Sequence, residues 1–319
     1  MLKTALIELF GIEHPVIQGG MTYLGNAELV AAVSNAGGLG VLGTGNAPPE
    51  WVREQIALVQ MLTDRPFGIN ILLTSPFVKE VVKVVIAARV PIVATGGGNP
   101  SPYIPELRVA GLKVMPVVSS VVLAKHLESL GVNALVAEGM ESGGHIGELT
   151  TMALVPQVVD SVRIPVVAAG GIADGRGLVA ALALGAQGVQ IGTRFICTEE
   201  CIAHPKFKQR LLKVNNRATT VIGQFIGHPV RYLQNRMTQE FLAMEKAGAS
   251  KEELEHFSQG KFYSGVIEGD TDNGLLMAGQ AAGLIKEIKP AKEIIEQMVA
   301  EAEAIIARLS IYSIQRGCQ

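Results

Sequence analysis

The residues best suited to chemistry lie in one short stretch, Val136-Ala-Glu138-Gly-Met-Glu141-Ser-Gly143-Gly144-His145-Ile-Gly147. An apolar run, Ala134 to Ala137, reads as a buried strand that stops at the carboxylate of Glu138. A loop with four glycines follows, and it carries the imidazole of His145. Gly143 and Gly144 lack a Cβ, so the backbone there can take positive φ and come close to a ligand. Such a loop presents one titratable ring where something flat or anionic can approach the main chain. A tight glycine turn with a surface histidine has the same letters, so the elements around the loop must decide.

Apolar runs begin near residues 15, 39, 67, 91, 113, 134, 165 and 188, at intervals of 21 to 31 residues. Each interval holds a strand, a helix and two short loops. The runs are apolar throughout rather than alternating, as parallel strands buried on both faces are. Asn26 is placed to cap a helix over Ala27–Ser34, and Ser75-Pro76 to start another. Ser120 is placed to cap Val121–Leu130, and Asp174 precedes Gly177–Leu184. Gly37, Gly111, Gly131 and Gly185 are the expected helix stops. Eight such units in about 190 residues predict an α/β fold, a closed (β/α)8 TIM barrel. The rival is an open doubly wound sheet, and Gly38-Leu-Gly40-Val-Leu-Gly43 matches the dinucleotide fingerprint as a string. Its glycines lie before and within the second strand, not between a strand and its helix, so the match is set aside.

The strand ends predict the functional face. They carry Gln18, Thr44, Asn70, Thr95, Ser119, Glu138, Gly170-Gly171 and Gln190-Ile-Gly192-Thr193. A polar group at the end of a buried strand costs desolvation unless it is paired or meets a ligand. Polar or glycine ends on all eight strands point to a lined mouth, where barrels of this kind hold their active sites. Gly170-Gly171 and Gly192-Thr193-Arg194, on adjacent strands, expose backbone amides suited to phosphate. Gln18-Gly-Gly20-Met21 and Asn70 offer amides and a carboxamide suited to a heterocycle, with Met21 able to pack on a flat ring.

Beyond residue 195 the repeat stops. The expected organisation is a barrel over 1–195 and 278–309, a small, mainly helical excursion over 196–277 beside the mouth, and a loose tail over 310–319 with Cys318 exposed. The excursion contains a charged helical stretch, Met237–Phe257, and the chain returns through a small-residue helix, Leu275–Gly283. A last amphipathic helix, Ala291–Leu309, aligns Ile294, Met298, Ile305 and Leu309 on one face. The segment around Gly279 suits either a homodimer interface or close packing within the chain. The formal net charge of −2 argues against a nucleic-acid surface. No run of apolar residues is long enough to span a membrane, and the N-terminus reads as a short amphipathic helix without a signal-peptide pattern. Three cysteines argue for a reducing, cytoplasmic setting, and Cys197 and Cys201 have no partner pair at metal-ligand spacing, so no metal is expected.

Taken together, the chain resembles the FMN-dependent enoyl-acyl-carrier-protein reductases of the second type (FabK type), within the nitronate monooxygenase superfamily. The resemblance is carried by Gln18-Gly-Gly-Met21, Gly45-Asn-Ala-Pro48, Asp64-Arg-Pro-Phe-Gly-Ile-Asn70 and Gly97-Gly-Asn-Pro100. It continues through Ala137–Gly147, Ala168-Ala-Gly-Gly-Ile-Ala-Asp174, Gln190-Ile-Gly-Thr-Arg-Phe195, Gly227-His-Pro229 and Met277-Ala-Gly-Gln280. It implies a barrel with FMN at the mouth, NADH or NADPH as co-substrate, and an enoyl thioester on acyl carrier protein. It also implies FMN contacts at Gly20, Met21, Asn70, Glu138, Gly144, Gly170, Gly171, Gln190, Gly192 and Thr193, with a catalytic His145. Reductases of this branch often respond to a monovalent cation, for which no residue pattern is evident. One departure is Thr22-Tyr23, where the resemblance leads one to expect a small residue and a tryptophan bordering the substrate side.

Three other readings share these letters. A nitronate monooxygenase would use the same histidine and flavin with oxygen. A flavin-free phosphosugar enzyme would use the phosphate pocket with Glu138 as base. A non-catalytic flavin-binding module would leave His145 unexplained. For carrier-protein docking, Lys206, Lys208, Arg210 and Lys213 form a basic run that a solvated helix face would also give.

Overall fold

Eight parallel strands form where the apolar runs fall. In a computed structural model that describes residues 2–314, they are β1 (Val16–Gln18), β2 (Gly40–Gly43), β3 (Phe67–Leu72), β4 (Ile92–Gly96), β5 (Lys113–Val118), β6 (Leu135–Glu138), β8 (Val166–Ala169) and β9 (Gly188–Ile191). Between β6 and β8 lies a two-residue strand outside the barrel, β7 (Gly144–His145). The sheet order is β1-β9-β8-β6-β5-β4-β3-β2. The ends meet where Ile17 bridges Leu39 in parallel, with the Gln18 amide donating to the Leu39 carbonyl at 2.9 Å. This is the (β/α)8 barrel.

Side-chain alternation sorts each strand into two apolar sets. Ile17, Leu39, Val41, Ile92, Ala94, Met115, Val136 and Val167 fill the barrel interior. Their neighbours Val16, Leu42, Ile69, Val93, Val114, Leu135, Val166 and Val189 face the helical shell. With both faces apolar the strands cannot alternate in hydropathy, which is why the runs are continuous. The interior is stoppered at its amino-terminal end by the helix Ala5–Phe10, whose Leu6 and Phe10 join the inner cluster. Polar groups are thereby left to the other end.

Several helix starts differ from the reading of the sequence. Ser120 caps Val121–Ser129, and Asp174 accepts from the Arg176 and Gly177 amides to start its helix at Gly175. Asn26 instead donates its side chain to Glu28 and makes no cap bond. Ser75 accepts from the Phe77 amide, and that helix begins only at Val78. Positive φ at Gly37, Gly111, Gly131 and Gly185 marks the expected stops.

The segment after β9 carries a hairpin as well as helices. Strands β10 (Thr219–Ile222) and β11 (Val230–Leu233) pair antiparallel, and β7 joins β11 as a third strand. The charged stretch splits at Gly248 into helices Arg236–Lys246 and Lys251–Ser258, because Ser250 and Glu253 build a capping box that starts the second. The return segment 275–283 is not the α-helix expected. It is an extended strap, bridged from Met277 to Tyr232, ending in a 3-10 turn, Gln280–Leu284. Its main chain bonds outward, with Leu276 accepting from Leu233, Gly279 donating to Thr193 Oγ1 and Gln280 donating to the Glu141 carbonyl. Those bonds take the groups a helix would need.

The last helix runs from Ala291 to Ile314, five residues past its expected end, so residues 310–314 are helical rather than a loose tail. It buries Ile294, Ile295, Met298, Val299 and Ala302, whereas Leu309 is exposed. Cys318 lies outside the described residues. Among the described residues no helix is long and apolar enough to cross a membrane.

Candidate active site at the barrel mouth

Strand parity brings the polar strand ends together. Ile69 and Ile71 of β3 face the shell, so Asn70 between them takes an inward position. By the same count Glu138 follows Val136 inward on β6, and Gln190 falls between the outward Val189 and Ile191 on β9. All three line a cavity of about 720 Å³, together with His145, Gly144 and Met277. Neither the Asn70 nor the Gln190 carboxamide makes a side-chain hydrogen bond among the described residues.

The glycines are required by the way these loops approach one another. A Cβ on Gly20 would lie 2.3 Å from the Asn70 Cβ, and one on Gly143 would lie 2.7 Å from the Ala278 carbonyl carbon. Gly170 and Gly171, with φ of 97° and 76°, occupy the left-handed region that favours glycine. The amides of Gly20, Met21, Gly170, Gly171 and Gly192 donate to no described residue. Gly20, Met21, Gly170 and Gly192 are half-buried and Gly171 is exposed, so these amides open onto the cavity. The Thr193 hydroxyl does have a partner, accepting from the Gly279 amide at 2.9 Å and fastening the strap to the cavity wall.

Two residues of the expected set face elsewhere. Gln18 is fully buried, and its carboxamide brackets Val41, accepting from the amide at 3.1 Å and donating to the carbonyl at 3.2 Å. It fastens the seam between β1 and β2. Arg194 is also buried, and its guanidinium donates to the carbonyls of Cys197 and Glu287 at 3.2 and 3.1 Å. The Arg194 guanidinium is therefore engaged away from the glycine turns.

His145 sits on β7, opposite Val230 of β11. The ring makes no hydrogen bond among the described residues and opens onto the cavity. Desolvation first, and the charge of His228 second, lower its pKa below the ordinary imidazole value. The ring is neutral at neutral pH, with one N–H to donate. Desolvation pushes the Glu138 carboxyl up to about 7, opposed by the nearby Ser142 hydroxyl.

The loop that carries His145 is held by residues the sequence did not single out. Glu141 accepts from the Thr151 amide at 2.9 Å and from its hydroxyl at 3.0 Å. That one hydroxyl proton is shared with the Gly170 carbonyl at 2.9 Å, which sets the histidine loop beside the glycine turn after β8. Arg231, buried on β11, donates to the Met140 carbonyl. Of these only Glu141 lay inside a visible motif. Arg231 and Thr151 gave no signal, because their value depends on contacts across 91 and 10 positions of chain.

The expected basic run is not a free patch. Lys208 is buried and donates to the Thr198 carbonyl at 2.6 Å, and Arg210 grips Asp272 and the carbonyls of Thr271 and Gln234. Cys197 and Cys201 are buried thiols whose pKa values burial pushes up to about 12 and about 11.

Comparison with known proteins places this arrangement among related chains. The family model described as Nitronate monooxygenase matches residues 3–83 and 74–301. The solved structure of FabK from Thermotoga maritima is 47% identical, superposes with a TM-score of 0.96, and covers 98% of this chain and 100% of its own. A nitroalkane oxidase from Streptomyces ansochromogenes is 29% identical with a TM-score of 0.84, over 96% of this chain and 100% of its own. Among curated proteins, a (3aS,4S,5R,7aS)-5-hydroxy-7a-methyl-1-oxo-octahydro-1H-indene-4-carboxyl-CoA dehydrogenase of Rhodococcus jostii is 35% identical, over 94% of this chain and 96% of its own. A probable nitronate monooxygenase of Staphylococcus saprophyticus is 31% identical, over 96% and 99%.

Proposed function

Because the chain belongs to the nitronate monooxygenase family of flavin-dependent oxidoreductases, we propose that it reduces trans-2-enoyl thioesters on acyl carrier protein with NADH or NADPH, using FMN. The balance is enoyl thioester plus NAD(P)H plus a proton, giving acyl thioester plus NAD(P)+. One observation carries the choice of this branch. The likeness to FabK holds at 47% identity over 98% of the chain, well above the 29% of the nitroalkane oxidase. A relative that is by name a carboxyl-CoA dehydrogenase lends support to a thioester substrate.

The residues present fit FMN. The unpartnered amides of Gly170, Gly171 and Gly192 suit its phosphate. The amides of Gly20 and Met21, with the carboxamides of Asn70 and Gln190, suit the carbonyl and N–H edge of the ring system. Glu138 and Gly144 complete the wall, and Thr193 contributes its backbone beside the phosphate. Held by these residues, FMN would supply the hydride chemistry that links the nicotinamide to the β-carbon of the enoyl group.

The chain's own part is electrostatic. Negative charge grows on the thioester oxygen as the β-carbon is reduced. The neutral imidazole of His145 donates its N–H to that oxygen, and the rigid ladder to β11 holds the donor in place before the charge develops. The α-carbon would take up the proton counted in the balance above, with His145 helping to deliver it.

The deciding measurement is oxidation of NADH and NADPH by the purified yellow protein without oxygen, with and without a short trans-2-enoyl thioester. Oxidation that depends on the thioester supports the reductase. Untouched nicotinamide, with oxygen consumed when an alkyl nitronate is added, would replace it with the monooxygenase that other relatives are named for.

A further inference from the structure

Among the described residues, two other than glycine have positive φ, Tyr23 at 64° and Arg89 at 51°. Arg89 follows the helix Val78–Ala87, where a left-handed residue is ordinary. Tyr23 is the third residue of a turn in which the Leu24 amide donates to the Met21 carbonyl at 3.1 Å, a position that favours glycine or asparagine over a bulky side chain. It stands in the loop after β1, and an L-residue is held in that region only where its surroundings over-determine it. Those surroundings are aromatic. The Tyr23 ring lies 5.6 Å from Phe262 at a tilt of 39°, and 5.2 Å from Tyr263 edge-on at 83°. Phe262 and Tyr263 belong to the helix Lys261–Val266, so the three rings join the barrel to the excursion.

All three rings line the cavity that holds His145. Yet Tyr23 and Tyr263 remain 37% and 44% exposed, so they do not form a closed core. The strand ends supply a polar floor of amides and carboxamides, and the rings supply an apolar outer wall. We propose that Tyr23, with Phe262 and Tyr263, is the wall that bounds the acyl chain of the thioester and sets the longest chain accepted. The proposal rests on the thioester reading above and assigns its chain-length specificity. A chain that fits gains by packing its methylenes on the ring faces. A longer one must part rings that are in van der Waals contact with each other. In an apolar pocket one methylene changes discrimination by about 10- to 200-fold.

Strain at Tyr23 makes a clean test possible. Tyr23→Gly removes the ring and its two aromatic contacts while relieving the backbone, and its thermal midpoint and flavin content show that the variant is folded. Tyr263→Ala removes the opposite ring without touching the strained loop. For the holoenzyme and both variants, kcat/KM would be measured for trans-2-enoyl thioesters of increasing length. Dissociation constants of saturated acyl-CoA of the same lengths would be read from flavin absorbance. The expected result is that each variant raises the ratio of long-chain to short-chain kcat/KM by about tenfold or more, with Tyr23→Phe keeping the native profile. A uniform fall at every length would overturn the wall while leaving the reductase reading intact. If no enoyl thioester is reduced but acyl-CoA binds with a length limit that Tyr23→Gly moves, the wall stands and the reductase reading falls. Failure to bind any acyl-CoA would overturn both.

Discussion

The guanidinium of Arg231 straddles the carbonyl oxygen of Met140, donating from Nε at 3.0 Å and from Nη2 at 2.9 Å. The same arginine pairs with Gly144 across the ladder between β11 and β7. A residue of the excursion therefore grips the histidine loop twice, at its start and beside His145. The excursion is part of what builds the site and not only a cover beside it.

Arg231→Lys should test that coupling. A lysine keeps the charge but cannot make both bonds to one carbonyl. Turnover should fall at least about tenfold with flavin occupancy near native, because charge-assisted hydrogen bonds to a loop are worth about 1.5–3 kcal/mol. A variant with native kcat would show that the ladder alone positions His145.

His145→Ala should keep its flavin and lose about 10²–10⁴-fold in turnover, the range for one positioned acid or oxyanion donor. Near-native turnover would remove His145 from the mechanism. The lowered pKa adds a second expectation. The ring is neutral above the ordinary imidazole range, so any loss of rate from its protonation should appear only below about pH 6.5.

The amide cradle is best tested at Gly192. Its φ is −107°, and a Cβ there would meet only the Met21 sulfur at 3.8 Å, so the apoprotein can accommodate a side chain. Gly192→Val should leave the thermal midpoint of the apoprotein nearly unchanged and strip the flavin on purification. Gly171→Val, with φ of 76°, should lose both flavin and stability. A yellow, fully loaded Gly192→Val protein would contradict the phosphate assignment.

Glu138 should reveal itself in the apoprotein through pH. Its folded pKa of about 7 lies above the ordinary 4.5. Between those values the folded chain holds a proton that the unfolded chain has released, so this group's contribution to stability falls as pH rises through that window. Above it, the folded state carries the cost of a buried carboxylate, at most about 3 kcal/mol. Glu138→Gln should therefore gain thermal stability over native protein at pH 8 but little at pH 4. An equal difference at both would show that Glu138 is not desolvated.

What the sequence determined by itself was the barrel and one side of its mouth. Strands buried on both faces must be apolar throughout, and helices between them must start and stop on caps and glycines, so eight units are legible as spacing. Asn70, Glu138, Gly170-Gly171 and Gln190 could be picked out because each ends such a run. Local signals failed where the main chain finds partners far away. The segment 275–280 has helix-like letters, yet its amides and carbonyls are taken by Thr193, Glu141 and Leu233, and it becomes a strap. Gln18 ended a strand as the others did and Arg194 followed one closely, but only the assembled barrel shows that a seam and two carbonyls claim them. The pairing of β7 with β11 joins segments more than 80 residues apart, and no local pattern specifies it. Only tertiary structure could decide that pairing, because the energy that orients His145 comes from contacts made after the chain has folded back on itself.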